Sequence, residues 1–404
     1  MLSERLLSHR LTLVAVCTVA FLSSCNERKA NPNTAISLSY YDTFVLSSCQ
    51  ISESKVRKEL RRMVANDSDS TLSDFYAKNY YDRRGTLVWV SRKGVTEDAD
   101  TLLERLNEIE KIGFNPSRFR VPQIRLDLER VHELRFDKAH RASKVLAGLE
   151  YNLTKALFRF AAGQRFGYTI PNNLFNRLDL TDPKDPSSQS YRELYALDSP
   201  RPGKRFYEDA LRQAGEGSLA AFLDSCEPHS PLYTKFVKSL HGDSARLIGR
   251  KLLLVNLERS RWRMKDYPWD YNKYVLVNLP SLHLLAKGED ETLSMRIGCG
   301  AVKTKTPLLQ GSIYRMDVNP QWIMPRSIVK KNIIHRLGSS GYFASKHYFI
   351  RDRVTGKDIP PYQASADALL NGSQLAIQEG GEGNALGRLI FRFNNGLSIY
   401  LHDT

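Results

Sequence analysis

The chain has 404 residues and a formal net charge of +15, with 42% hydrophobic and 25% charged residues. That length exceeds one small domain, and those proportions exclude wholesale disorder. The basic balance suits an anionic partner. No run of five or six basic residues forms a focused patch, so a solvated basic surface is the simpler reading and no nucleic-acid partner is expected. The five cysteines, Cys17, Cys25, Cys49, Cys226 and Cys299, show no CxxC, HExxH or paired Cys/His spacing. Neither a metal site nor a cofactor is therefore expected.

Arg5, His9 and Arg10 precede an apolar stretch, Leu11–Leu22, that is too short to span a bilayer comfortably. It runs into Leu22-Ser23-Ser24-Cys25, which resembles the bacterial lipoprotein box. Residues 1–25 are thus expected to be a lipoprotein signal peptide, with an ordinary cleaved signal peptide the alternative. Cys25 would be acylated and hold the protein on a membrane, facing the periplasm in the cell envelope. Residues 26–75 are polar and read as a tether with one helix, Ser52–Val64.

Residues 76–268 read as a helical domain. A strand-like run, Thr86–Val90, comes first. Thr96–Ile112 follows as a helix, with Leu102, Leu103, Leu106, Ile109 and Ile112 on one face and Gly113 at its end. A second helix is expected over Lys138–Ala162, closed by Gly163. Further helices are expected over Arg205–Ala214, Leu232–Leu240 and Ser244–Lys265, with a Pro/Ser/Asp-rich loop at Asp179–Ser190. Nothing in this region is catalytic in composition.

From about residue 269 the apolar period changes to alternation. Val275, Val277 and Leu279 alternate. Leu282 and Leu284, a turn over Lys287–Asp290, then Leu293, Met295 and Ile297 read as a hairpin. Leu389, Phe391 and Phe393, a turn at Asn394-Asn395-Gly396, then Leu397, Ile399 and Leu401 read as another. The second hairpin sets Ser398, Tyr400 and His402 on the face opposite its apolar residues. The chain is therefore α+β: a helical scaffold region followed by a mostly-β domain over 269–404.

Five ordered segments of that domain resemble the L,D-transpeptidase family. They are Tyr274–Pro280, Gly298-Cys299-Gly300 running to Thr304–Pro307, Asn319-Pro320-Gln321-Trp322-Ile323-Met324-Pro325, the loop Gln378–Gly387, and Ile399–Thr404. Asn256–Trp262 also resembles the helix that precedes the catalytic domain in the scaffold-bearing murein enzymes. The helical middle resembles their scaffold, more weakly.

The resemblance implies acyl transfer between peptidoglycan stem peptides through a cysteine thioester, with departure of a terminal D-alanine. It implies that His402 transfers protons. It offers Trp322, Asn384, Gly387 and Tyr400 as stem-peptide-binding candidates, with core packing the alternative for Trp322 and loop formation for Asn384 and Gly387. The family's nucleophile stands in a Ser-His-Gly-Cys segment that these 404 residues do not contain. The catalytic domain is therefore expected to be partial, truncated before its nucleophile, and inactive as given. Cys299 reads as a small, partly buried thiol. A non-catalytic, lipid-anchored cell-wall binding or scaffold protein is the alternative function.

Overall fold

A computed structural model describes residues 51–403 except 84, 92–93, 183, 185–186, 188–189 and 244. The expected lipidation site Cys25, like Cys49, lies outside the described residues. From Glu53 to Arg261 helices dominate. The elements are α1 (Glu53–Ala65), α2 (Leu72–Asp82), β1 (Val90–Ser91), β2 (Gly94–Val95), α3 (Glu97–Asn107), α4 (Val121–His132), α5 (Ala142–Phe166), α6 (Pro171–Phe175), β3 (Tyr195–Ala196), α7 (Lys204–Gly215), α8 (Leu219–Cys226), α9 (Pro231–His241) and α10 (Arg250–Arg261).

Strands then take over. They are β4 (Tyr274–Asn278), β5 (His283–Lys287), β6 (Thr292–Arg296), β7 (Leu308–Leu309), β8 (Ile313–Val318), β9 (Trp322–Ile323), β10 (Tyr348–Asp352), β11 (Asp358–Ile359), β12 (Gln374–Gln378), β13 (Leu389–Phe393) and β14 (Tyr400–His402). Three short helices interrupt them: α11 (Arg326–Ile328), α12 (Ser340–Ser345) and α13 (Ala366–Asn371). The architecture is α+β, as the change of apolar period implies. No helix among the described residues is long and apolar enough to cross a membrane.

The chain forms two units. The first holds the described residues through Arg177, with Asp198–Asn278 and His283–Arg296; the second holds Leu178–Leu197, Leu279–Leu282 and Ile297 onward. This division differs from the expected boundary near 269. Residues 178–197 join the second unit because β3 pairs in parallel with β7, and because Asp179 accepts both Arg192 and Lys305. The strands β4, β5 and β6 form a three-stranded antiparallel meander of their own.

In the first unit α5 is the axis. Small residues such as Ala147, Gly148, Ala156, Ala161 and Gly163 let neighbouring helices approach, while Leu146, Leu149, Leu153 and Leu157 fill the spaces between them. α5 is buried nearly all round, which marks a central rather than an amphipathic surface helix. It begins at Ala142, not Lys138, because the Asp137 carboxylate accepts the His140 backbone N–H in a turn. It ends at Gly167 (φ +73°), not Gly163. Gly163 lies inside the helix, where a Cβ would come within 2.5 Å of the Tyr168 ring.

Two polar networks fix α5 to its surroundings. Lys155, 1% exposed, donates to Asp67 (2.5 Å) and Asp69 (2.6 Å), and Arg159 donates to Asp69 and Asp74. The Lys155 ammonium holds the Asp69 carboxyl well below its usual range. These ion pairs, with Ile51, Val56, Leu60 and Val64 in the core, show that residues 51–75 are packed structure and not tether. The second network centres on Glu150, which is fully buried. Its carboxylate accepts the backbone N–H groups of Val88 (2.7 Å), Trp89 (2.9 Å) and Val90 (3.1 Å) and the Tyr81 hydroxyl (2.7 Å). Burial pushes this carboxyl up to about 7 against the pull of those donors. The strand-like run Thr86–Val90 thus spends much of its backbone on a side chain, and only Val90 and Ser91 pair as strand.

Candidate active site

The second unit carries a three-stranded antiparallel sheet in the order β14-β13-β8. His402 pairs with Ile390, and Ile390 with Asp317; Tyr400 pairs with Arg392, and Arg392 with Arg315. Directly paired residues of an antiparallel sheet share a face, as do residues two apart on one strand. One face therefore presents His402, Tyr400, Arg392, Arg315 and Asp317 around the fully buried Ile390. The other presents Leu401, Phe391, Leu389, Met316 and Val318. The expected separation of Tyr400 and His402 from the apolar set holds at Leu401. It does not extend back to Leu397, because β14 begins only at Tyr400.

The turn before β14 is wider than Asn394-Asn395-Gly396 suggests. The Asn395 amide donates to the carbonyls of Phe393 and Ile399, and its oxygen accepts the N–H groups of Leu397 and Ile399. The left-handed residue is Ser398 (φ +53°), not the glycine.

His402 is exposed. Its Nδ1 lies 2.8 Å from the backbone oxygen of Asp403. A carbonyl only accepts, so Nδ1 carries the proton and Nε2 keeps its lone pair. The strand end that supplies this carbonyl is itself clamped. The Asp403 carboxylate accepts the backbone N–H groups of Leu389 (2.7 Å) and Arg388 (3.1 Å), which hold its pKa below the usual range. Gly387 (φ +65°) makes the clamp possible, since a Cβ there would sit 2.3 Å from that same Asp403 oxygen. Gly387 thus shapes the backbone that orients the imidazole.

Asn384 is buried in the loop before β13. Its amide donates to the carbonyls of Pro320 (3.0 Å) and Glu379 (2.6 Å), and its oxygen accepts the Leu386 N–H (2.6 Å). Both amide hydrogens are used internally, so Asn384 staples the loop. Gln378 reinforces it, donating to the carbonyls of Lys346 and Gly383 and accepting the Ala385 N–H. Trp322, on β9, pairs with Gln378 and packs against the small core of Met324, Val329, Ile333, Phe343, Ile350, Leu369 and Ala376. This is its core-packing role.

Tyr400 lies beside the histidine, its ring centroid 4.8 Å from the Arg392 guanidinium. Arg392 donates to Asp317 (2.5 Å), as does Arg315 (2.8 Å). The hydrogen bond from Arg392 is the main reason the Asp317 carboxyl sits below its usual range. Sequence reasoning left Arg392, Arg315, Asp317 and Asp403 unremarked. The available signal was the arginine interrupting Phe391 and Phe393.

Among the described residues Cys226 and Cys299 are free thiols. Cys226 is buried on α8 of the first unit, and burial raises its thiol. Cys299 is exposed in the loop after β6, which corrects the expectation of a partly buried thiol. Glycines crowd this loop: a Cβ at Gly300 would lie 2.0 Å from the Thr304 oxygen, and the Gly300 N–H donates to Thr306 Oγ1. No described group of three or more His, Cys, Asp and Glu side chains could hold a metal ion.

Residues 272–404 match the family model of the L,D-transpeptidase catalytic domain, and residues 70–240 match that of a scaffold domain. Residues 272–404 thus belong to the L,D-transpeptidase catalytic-domain family. A Haemophilus influenzae protein provisionally named an L,D-transpeptidase is 22% identical over 339 residues, spanning 78% of this chain and 67% of the relative. The scaffold match begins at residue 70, on the α1–α2 linker, and so takes in the helical core built around α5. The catalytic match takes in the meander β4–β6 and the His402 sheet.

Proposed function

We propose that this protein works on peptidoglycan stem peptides as a member of an acyl-transfer family, with His402 as its proton acceptor and donor. The observation that carries the reading is the Nδ1–H bond to the Asp403 carbonyl. It leaves Nε2 free to take a proton from a thiol as the sulfur attacks the scissile carbonyl. Nε2 can later return that proton to the departing D-alanine amine. The thioester left behind would be taken up by an amine of a neighbouring stem or by water. Tyr400 is proposed to line the stem-peptide site, and Gly387 to act through Asp403 rather than by contact.

Neither Cys226 nor Cys299 stands in a segment resembling the family's nucleophile, and neither is hydrogen-bonded to a histidine. On this reading the 404 residues alone bind stems without forming the acyl-enzyme. Acylation at Cys25 would tether the protein to a membrane, facing the periplasm.

The test is mass spectrometry of the purified chain after incubation with a carbapenem. No covalent adduct is expected on the 404 residues. Appending a Ser-His-Gly-Cys segment is expected to produce one, and His402→Ala is expected to abolish it. An adduct on the 404 residues themselves would contradict the reading.

A further inference from the structure

The face that presents His402 also presents two guanidinium groups and only one carboxylate. Arg392 and Arg315 both pair with Asp317, and no other described acidic side chain pairs with either. The cluster therefore carries one uncompensated positive charge. Arg392 is only 21% exposed, yet it stands between Phe391 and Phe393, where an apolar residue would be cheaper to bury. Asp317 holds its Nε from below, and the Tyr400 ring lies beside the guanidinium. The register slips between Arg392 and Phe393, an irregularity of the kind that re-aims side chains beside functional sites. A planar guanidinium held by a carboxylate and a ring is a preorganised fork for a second carboxylate.

We infer that Arg392, supported by Arg315, forms a carboxylate subsite beside His402 that receives the C-terminal carboxylate of the D-alanine leaving group. The inference rests on the stem-peptide reading given above and deepens it. Arg392 is diagonal to His402 across the β13–β14 pair, a spacing of about 7–8 Å between such positions. The carboxylate of the leaving residue lies one residue, about 3.5 Å, beyond the scissile carbonyl. With a hydrogen bond of about 2.8 Å the reach is about 6 Å, within the separation that the long side chains at two such positions can bridge. Arg392 is thus placed to read whether the residue after the scissile bond is the last of the stem. A longer or amidated stem would leave its guanidinium without a partner charge.

The test uses the 404-residue chain and isothermal titration with two probes: a stem tetrapeptide ending in D-alanine, and its C-terminal amide. The free acid is expected to bind about tenfold more tightly. Arg392→Met is expected to remove that preference by weakening the acid about tenfold while leaving the amide unchanged. A merely structural role would weaken both probes alike. Arg315→Gln, at a more exposed position, is expected to weaken the acid alone by about threefold, and it keeps the test open if Arg392→Met fails to fold. Equal affinity of the unaltered chain for acid and amide would overturn the subsite while leaving the stem-peptide reading intact. Binding of neither probe would overturn both.

Discussion

The first unit buries a large apolar core that runs from Ile51 to Cys226 and a smaller cluster of Tyr233, Leu240, Leu253 and Leu257, and it also buries polar networks around Lys155 and Glu150. The second unit gathers a small core around Ile350 and Phe343 and leaves Tyr314, Met316 and Val318 of β8 exposed. The chemistry follows the opposite distribution. The buried polar groups of the first unit are satisfied internally, whereas His402 and Arg315 are exposed and Tyr400 is half-buried beside them. Burial here marks what holds the scaffold together, and the candidate site lies where packing is thinnest.

That contrast can be broken most directly at Glu150. Replacing it with Ala strands three backbone N–H groups in the core, and the first unit is expected to lose more than about 3 kcal/mol. Urea denaturation followed by hydrogen exchange checks whether the loss stays in that unit. A loss below about 1 kcal/mol would mean that the network is not holding α5.

Acidity sharpens the same contrast. The Glu150 carboxyl titrates from an ordinary 4.5 when unfolded to about 7 when folded. Between those values the folded state keeps a proton that the unfolded state has released. Stability of the first unit is therefore expected to fall by up to about 3 kcal/mol as pH rises from 4.5 through 7. Asp67, Asp69 and Asp74 are all held below 3.8, so their contribution is present above that value and is lost on further acidification. Urea midpoints at pH 4.5 and 8 measure the first effect, and those at pH 4.5 and 2.5 the second.

Smaller effects are expected in the second unit. Gly387→Ala meets both a left-handed backbone and the Asp403 oxygen, and is expected to cost about 2 kcal/mol. It should also shift the His402 ring resonances, because the same oxygen receives Nδ1–H. His402→Ala, by contrast, is expected to change stability by less than about 0.5 kcal/mol, since the ring is exposed. A melting curve separates the two.

The sequence makes some of this legible and hides the rest for physical reasons. The helix α9 can be read directly, and so can the strands β4–β6; α3 starts where expected but stops at Asn107, so Ile109 and Ile112 pack from a turn rather than from the helix. α4 begins with a proline in its first turn, and α8 is short, so neither stands out. The end of α5 is misplaced because Gly163 serves the Tyr168 ring rather than a cap. His402 is visible as a motif residue. The carbonyl that orients it and the Arg392–Asp317 pair are not, because both depend on which strands become neighbours. Asn384 reads equally well as a ligand group or a loop staple until its amide partners, Pro320 and Glu379, are in place.

The chemistry turns on a His402 imidazole held with its proton on Nδ1 and its lone pair on Nε2. Long-range proton–nitrogen correlation NMR on the 404-residue chain, assigned by comparison with His402→Ala, reads the tautomer directly. A protonated Nδ1 and a lone-pair Nε2 are expected for the neutral ring. A neutral ring protonated at Nε2 would contradict it.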